Sequence, residues 1–271
     1  FSLPPALQKT GDDMAIVTPM YRVTQENYGD EFERIKTCQI VLGQRRLACS
    51  LYRGALNGVT VYAIGNEHLF HRPRLYGYGD DSLRFAFFCR AVIDLLPEFG
   101  DLPDILHCND WETALAILYL KNDAVLRPEL SHIKTVYTIH NIAYQGQFGR
   151  SEMEASFALP DGWYHGGLSY EFEGRQDINL MKGAIVCANE VSTVSPRYAQ
   201  EICGAEHGQG LDPVLRENAG KLCGILNGID YQYYNPAKDK AIAANYSWRT
   251  LDRKYQNKTA LQQELELPER Q

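Results

Sequence analysis

The chain has 271 residues, of which 45% are hydrophobic and 23% charged, an ordinary globular composition that is ample for a buried core. The formal net charge of −7 argues against nucleic acid or an anionic membrane surface as the main partner, because both attract cationic proteins. No apolar run approaches the roughly 20 residues that a membrane-spanning helix needs, which argues against a membrane protein.

The first part of the chain predicts a helix, a strand and then a meander. Residues 3–10 read as a helix with Pro4 and Pro5 in its first turn. Ala15–Met20 is a short apolar strand. Three runs with a period of two residues then follow, with turn residues between them, and they predict an antiparallel hairpin or meander. These runs are Ile35–Leu42, Arg46–Tyr52 and Val59–Ile64.

From Asp80 the apolar period becomes helical, and strands then alternate with helices. The predicted strands are 104–108, 134–139, 190–193 and 222–226, and the predicted helices are 110–121, 175–187 and 195–203. This alternation is typical of βαβ crossovers. We therefore predict an α/β fold with a Rossmann-like parallel sheet flanked by helices and an antiparallel hairpin insertion. Beyond Asn235 the chain turns polar and again helical (Leu251–Leu267).

The seven cysteines form no C-x-x-C pair and sit singly in apolar stretches, as at Cys89 and Cys187. They are interpreted as reduced, buried fillers. No metal site is predicted, since His68 and His71 have no carboxylate or cysteine at a ligand spacing.

Polar side chains follow each predicted parallel strand, at the sheet edge where open α/β sheets bind ligands. They are Asn109, Asp110, Trp111 and Glu112 after the first strand; His140, Asn141, Tyr144, Gln145 and Gly146 after the second; Ser195 and Pro196 after the third; and Asn227, Gly228 and Asp230 after the fourth. Carboxylate, amide and imidazole groups suit the hydroxyl rim of a glucosyl unit, and aromatic rings suit its apolar faces. The residues that would suffice for a sugar site are Asp110, His140, Asn141, Asn227, Tyr76, Tyr144 and Trp111.

Four segments at these positions resemble the ADP-glucose-dependent glycogen and starch synthases of glycosyltransferase family five. They are Leu106–Leu115 (LHCNDWETAL), Tyr137–Gly146 (YTIHNIAYQG), Ser192–Tyr198 (STVSPRY) and Gly224–Asp230 (GILNGID), and Tyr62–Phe88 adds to them. The resemblance runs in order from about residue 3 to residue 267. The combination of TIHN-x-x-YQG with LNGID at this separation is specific, whereas each motif alone would be weak.

The resemblance implies a GT-B fold, in which two Rossmann-like domains face a cleft. It implies a retaining, metal-independent transfer of glucose from ADP-glucose to the non-reducing 4-hydroxyl of an α-1,4-glucan, without a cofactor. Residues 1–234 would be the N-terminal domain, which binds the acceptor glucan, and residues 235–271 a linker and the start of a truncated C-terminal domain. The expected location is the cytoplasm, or the plastid if the source is a plant.

Site roles follow from the same resemblance, position by position. His140 matches the histidine that touches the transferred glucose near its 6-hydroxyl, and Asp110 matches an acidic cleft residue needed for activity. These two are the expected catalytic residues. The expected substrate-binding residues are Asn141, Asn227, Tyr76, Tyr144 and Gln145.

The chain also departs from the family pattern. The family's K-x-G-G-L loop, which contacts the nucleotide phosphates, is expected upstream of Phe1 together with the first strand. Lys9-Thr10-Gly11 is interpreted instead as a helix C-terminus, because it follows a helix. Glu112 stands where the family often has His or Gln. The chain alone is therefore predicted to be inactive.

Other interpretations stay open for single residues and for the chain. Asp110 could be the N-cap of the following helix, as Ser195 is expected to be for its own helix, and Trp111 could be a packing residue. The chain could be a noncatalytic glucan-binding domain. A nucleotide-dependent dehydrogenase is disfavoured, because no G-x-G-x-x-G follows any predicted strand.

Overall fold

The computed structural model describes residues 3–172, 174–231 and 233–269. Its contacts divide the chain into two compact units, one from Pro4 to Asn227 and one that comprises Leu3 and the described residues from Gly228 onward. All the strands of the described residues belong to the first unit. The assignment of residues 1–234 and 235–271 to two domains of a longer protein stays a prediction.

The helices and strands of the described residues are as follows. The strands are β1 (Ala15–Pro19), β2 (Glu33–Leu42), β3 (Arg45–Leu56), β4 (Val59–Gly65), β5 (Ile105–Asn109), β6 (Lys134–Ile139), β7 (Gln147–Gly149), β8 (Ser169–Phe172), β9 (Arg175–Asn179), β10 (Glu190–Thr193) and β11 (Leu222–Gly224). The helices are α1 (Leu3–Thr10), α2 (Arg22–Tyr28), α3 (Glu67–Phe70), α4 (Asp81–Asp94), α5 (Ala114–Asp123), α6 (Leu180–Cys187), α7 (Pro196–Glu201), α8 (Asp212–Glu217) and α9 (Lys254–Glu264).

The predicted antiparallel meander is confirmed. β2, β3 and β4 pair in sequence as antiparallel neighbours, and β1 joins them by pairing parallel with β4. Between β3 and β4, Asn57 and Gly58 both have positive φ angles, 51° and 81°. Two consecutive positive φ angles are typical of the tight hairpin turn whose twist matches that of its strands.

The predicted parallel sheet is also confirmed. Its strand order is β11-β10-β6-β5, and every neighbouring pair is parallel. Helix α5 packs on β5 and α7 packs on β10. Since the strands run in one direction, their carboxyl ends share one edge of the sheet. The expected α/β class with a flanked parallel sheet and an antiparallel hairpin insertion is therefore correct.

The core surrounds α4 and α5. Every residue from Ala114 to Leu120 in α5 is buried, so this helix is apolar all round rather than amphipathic. In α4 the side chains of Phe85, Phe88, Cys89 and Val92 are among those that are buried.

The helix predicted over 175–187 is wrong in its first five residues. Residues 175–179 form β9, which lies between β7 and β8 in a small antiparallel sheet that the sequence did not predict. The helix α6 begins only at Leu180, because the side-chain oxygen of Asn179 accepts a hydrogen bond from the Lys182 backbone N–H at 2.9 Å. The predicted strand over 222–226 is likewise shorter and ends at Gly224.

All seven cysteines are free. Cys49, Cys89 and Cys108 are buried as expected, but Cys38, Cys187 and Cys203 are half-buried and Cys223 is exposed, so the interpretation as buried fillers is correct for only three of the seven. Within the described residues, no helix has the length and apolar character that a membrane crossing requires.

Candidate active site

The adjacent ends of β5 and β6 bring four of the polar residues together. Asn109 is the last residue of β5 and is in register with Thr138, two residues before His140. Asp110 therefore follows β5 at the level where His140 and Asn141 follow β6. Asn109, His140 and Asn141 are exposed and Asp110 is half-buried, so this edge is open to a ligand.

The Asp110 carboxylate ties the two strand ends together. Its Oδ1 atom accepts hydrogen bonds from the backbone N–H groups of His140, at 2.8 Å, and Asn141, at 3.3 Å. The alternative that this side chain caps the following helix is wrong, because it makes no capping hydrogen bond there. The carboxylate instead fixes the backbone that carries the two residues expected to touch the sugar.

The backbone of Asp110 is strained. Its φ and ψ angles are 55° and −178°, a combination that is essentially restricted to glycine and costs about 1–3 kcal/mol. Hydrogen bonds hold it there: its N–H donates to Thr138 O at 3.0 Å, and its C=O accepts from the Thr113 N–H at 3.3 Å. Strain of this kind persists where the surroundings over-determine a conformation, and it clusters at active sites.

The His140 ring is oriented by Asn109, a residue that the sequence analysis noted but did not include in the site. The distance between His140 Nε2 and Asn109 Oδ1 is 3.0 Å. With the amide oxygen of Asn109 as the acceptor, Nε2 of His140 donates this hydrogen bond. Asn109 could have been found from its position at the end of the strand, which places it beside the next strand's end.

Close to this edge, a row of hydrogen-bonded side chains crosses the sheet from β5 through β6 to β10. His107 Nε2 lies 2.6 Å from Thr138 Oγ1, which lies 2.7 Å from Ser192 Oγ. Desolvation lowers the pKa of His107, and the nearby His140 lowers that pKa further. The row links β5, β6 and β10.

The loop after β6 is held by Gln145, which is buried. Its amide nitrogen donates to the carbonyl oxygens of Ile142 and Gln209, both at 3.0 Å. Its amide oxygen accepts from Asn179 at 2.6 Å and from Gln147 at 3.0 Å. Because these internal bonds use both ends of the amide, the geometry favours a role for Gln145 in positioning the loop over direct contact with a sugar.

Trp111 is a packing residue, which was one of the open interpretations. Its ring is buried and lies 5.1 Å from the Phe85 ring and 5.7 Å from the Phe148 ring, measured between centroids. Gly146 has a φ of 63°, and a Cβ at this position would lie 2.6 Å from Trp111 Cε3. Gly146, the glycine of the Tyr-Gln-Gly sequence, is therefore required both by its positive φ angle and because the Trp111 ring leaves no room for a side chain.

The remaining predicted residues differ in how closely the structure places them to this group. Tyr144 is 62% exposed on the loop after β6, and Tyr76 is 55% exposed on the loop between α3 and α4. Asn227 is exposed three residues after β11, at the same sheet edge but separated from β6 by β10. Ser195 caps α7, as expected, by accepting from the Tyr198 N–H at 2.9 Å.

The Glu112 carboxyl lies among like charges beside the site. Burial raises the pKa of Glu112 from its ordinary value of 4.5 to about 7, and the carboxylates of Asp110 and Asp81 contribute in the same direction. Within the residues that the structure describes, no group of three or more His, Cys, Asp or Glu side chains is arranged to hold a metal ion.

We expect Glu112→Gln to stabilise the protein at pH 8 more than at pH 5. Because the folded-state pKa of Glu112 is raised, the native protein holds more protons than the unfolded chain between about pH 4.5 and 7. Its stability therefore falls as the pH rises through that range, and glutamine removes this loss. Thermal unfolding at both pH values measures the effect, with Glu264→Gln on the exposed end of α9 as the control. An equal gain at both pH values would contradict the assignment.

Comparison with known proteins gives one consistent result. A family model described as the starch synthase catalytic domain matches residues 1–217. Glycogen synthases of Lactobacillus acidophilus and Geobacillus stearothermophilus are each 40% identical to the chain, over 98% and 99% of it and 56% and 55% of their own lengths. The chain therefore spans about half the length of the curated relatives it matches.

A solved structure agrees with these sequence matches. It is the catalytic domain of starch synthase IV from Arabidopsis thaliana bound to ADP and acarbose. It superposes with a TM-score of 0.83 at 33% identity, over 99% of this chain and 55% of that one.

Proposed function

The chain belongs to the family of starch synthase catalytic domains, and from this premise we propose that it supplies one half of a glucosyltransferase. That enzyme transfers glucose from ADP-glucose to the non-reducing 4-hydroxyl of an α-1,4-glucan such as glycogen or a maltooligosaccharide, with retention of configuration. The fold is the N-terminal half of a GT-B fold, as expected. Residues 1–234 form the domain that binds the acceptor glucan, and residues 235–271 lead into a C-terminal domain.

The observation that carries the proposal is the strained Asp110 and its bonds to the end of β6. A carboxylate that accepts from two successive backbone N–H groups fixes the positions of His140 and Asn141 at an exposed sheet edge. Nothing in the packing of a plain α/β layer requires this strain. A site that must hold a sugar in one orientation does require a fixed set of hydrogen-bonding groups.

Each of the predicted site residues has its own proposed part in binding the sugar. His140 contacts the transferred glucose near its 6-hydroxyl, with Asn109 orienting its ring. Asn141 and Asn227 bind hydroxyl groups of the sugar, and Tyr76 and Tyr144 cover its apolar faces. Gln145 holds in place the loop that carries Tyr144.

The chemistry that these residues support is positioning and charge stabilisation. In a retaining glucosyl transfer the sugar passes through an oxocarbenium-like state while negative charge develops on the departing diphosphate. The imidazole of His140 and the amides suit the hydroxyl groups of the sugar. The cations that stabilise the diphosphate are proposed to lie outside these 271 residues. Support for the nucleotide and glucan substrates comes from the structural relative, which was bound to ADP and acarbose. We place the enzyme in the cytoplasm, in keeping with the bacterial relatives, or in the plastid if the source is a plant.

We expect the 271-residue chain alone to show no glycogen-dependent release of ADP from ADP-glucose, and the extended protein to show it. The extended protein is the chain together with whatever its gene encodes on either side. An alternative is a noncatalytic glucan-binding domain.

Both functions predict that the chain binds maltooligosaccharides, but only the first predicts turnover by the extended protein. A coupled assay of ADP release, with glycogen omitted as the control, distinguishes them. An extended protein that binds glucan and turns over no ADP-glucose would overturn the enzymatic proposal.

A further inference from the structure

The loop between α3 and α4 carries Tyr76 at its exposed turn, and a buried ion pair lies beneath this turn. Arg84 has no exposed surface and Asp81 is 7% exposed. Their side chains bond to each other through Arg84 Nη1 and Asp81 Oδ1. Both residues belong to the first turns of α4, so the loop and the pair are close in sequence.

The ion pair holds both peptide bonds of Tyr76. Arg84 Nη2 donates to the Leu75 carbonyl oxygen at 3.0 Å, and this carbonyl belongs to the peptide bond before Tyr76. Asp81 Oδ2 accepts from the Gly77 N–H at 2.6 Å, and this N–H belongs to the peptide bond after Tyr76. The same oxygen accepts from the Tyr78 N–H at 3.0 Å. The backbone of Tyr76 is therefore fixed on both sides while its ring remains exposed.

Apart from Nη1, which bonds to Asp81, the donors of Arg84 point toward this loop and α3. Its Nε atom donates to the Leu69 carbonyl oxygen at 2.6 Å, and its guanidinium carbon lies 4.9 Å from the centre of the Tyr78 ring. Burying an ion pair gains little stability compared with apolar residues of the same volume, whereas breaking one is costly. A buried pair that is bonded to the backbone around one exposed tyrosine is consistent with selection for the conformation of that loop.

The pair also lies beside the candidate active site. Phe85, the neighbour of Arg84 in α4, packs edge-on against Trp111, which follows Asp110. Asp81 is near enough to Glu112 to contribute to the raised pKa of that carboxyl. The loop of Tyr76 is thus anchored to the same part of the molecule as the ends of β5 and β6.

We propose that Asp81 and Arg84 are positioning residues, which fix Tyr76 in the orientation that binds a glucosyl unit of the acceptor glucan. This inference rests on the proposed function, because it assigns Tyr76 to the sugar. Neither Asp81 nor Arg84 touches the glucan. They act through the two peptide bonds of Tyr76, and loss of either bond lets the ring leave its binding orientation.

The test compares Arg84→Lys with Arg90→Lys in the 271-residue chain. Lysine keeps the charge beside Asp81 but its single amine cannot also reach Leu75 O and Leu69 O. Arg90 is a matched control, since it lies on the same helix, pairs with Asp94 and Asp123, and covers the Tyr119 ring. Two quantities are measured: amide hydrogen exchange at Gly77 and Tyr78, and the dissociation constant for maltoheptaose.

We expect Arg84→Lys to speed exchange at these two amides by at least about tenfold and to weaken maltoheptaose binding by about fivefold or more, which corresponds to about 1 kcal/mol. Arg90→Lys should leave both unchanged. Tyr76→Ala should weaken binding, and adding Arg84→Lys to it should cause no further loss, because the two substitutions remove the same contact. A purely structural role would not produce this dependence on Tyr76.

Other outcomes would overturn the inference. It fails if exchange at Gly77 and Tyr78 in Arg84→Lys is no faster than in Arg90→Lys. It also fails if exchange is faster but maltoheptaose binding is unchanged, or if the losses of binding caused by Arg84→Lys and Tyr76→Ala add in the double variant. If Arg84→Lys does not fold, Asp81→Asn provides the same test, because one amide oxygen cannot serve both Arg84 and the two N–H groups. Absence of maltoheptaose binding by the unsubstituted chain contradicts the proposed function, whereas binding that is independent of Tyr76 and Arg84 overturns only this inference.

Discussion

Replacing Asp110 with alanine in the extended protein is expected to lower turnover at least about 100-fold, a barrier increase of about 2.7 kcal/mol. The substitution leaves the backbone N–H groups of His140 and Asn141 without their acceptor and removes the carboxylate that joins β5 to β6. The His140 ring then loses its fixed distance to the sugar, and positioning of a reacting group is worth several kcal/mol.

The measurement is the initial rate of ADP release at saturating ADP-glucose and glycogen, alongside thermal unfolding of the same preparation. Asp104→Ala is the matched control, because Asp104 is an aspartate at the opposite end of β5, where it only precedes the strand. A loss of turnover in Asp110→Ala smaller than about threefold, in a protein that remains folded, would remove Asp110 from the site.

The second large effect concerns stability. We expect Gly146→Ala to lower the free energy of unfolding by about 2–5 kcal/mol, from two sources. A positive φ costs an L-residue about 1–2 kcal/mol, and forcing a methyl group against Trp111 costs about 1–3 kcal/mol more. The φ of Gly146 is 63°, and the added carbon would lie 2.6 Å from the Trp111 ring.

Gly58→Ala separates these two sources. Gly58 has a φ of 81°, but a Cβ there would have no other atom within 4 Å. It should therefore lose at most about 1–2 kcal/mol. Urea unfolding of the 271-residue chain, followed by tryptophan fluorescence, measures both variants. Equal losses would show that contact with Trp111 has no part in the requirement for glycine.

The secondary structure was predicted well where the pattern was local. The runs of β2, β3 and β4 have a period of two residues and a turn of Asn57-Gly58, so their pairing as a meander follows from the sequence. The apolar face of α4 is equally local. The prediction of a helix over 175–179 failed because this segment is a strand only through its pairing with β7 and β8 on either side. The helix α6 begins at Leu180, where Asn179 caps it.

The candidate site was predicted in part. The motifs place Asp110 and His140 at one sheet edge, and the structure brings these two together. The same motifs assign Gln145 to the substrate, yet its amide is bonded within the protein. One of its partners, the Gln209 carbonyl oxygen, is 64 residues away in sequence. No local pattern could have indicated that partner, and the role of Gln145 therefore had to come from the fold.

Outside β7, β8 and β9, the sequence by itself determined the order of strands and helices, together with the parallel sheet, the edge at which polar residues gather and the family. The elements and the sheet depend on local conformational preference and on the period of apolar residues, whereas the family follows from the resemblance of the motifs at the strand ends. Only the tertiary structure decided that Asp110 is strained and bonded to the His140 backbone, that Asn109 orients His140, and that Asp81 and Arg84 hold Tyr76. The first two of these contacts join residues about 30 positions apart, and they exist because β5 and β6 pair with Asn109 beside Thr138. Side-chain contacts of this kind are set by register and packing, which follow from the whole fold and not from any one segment.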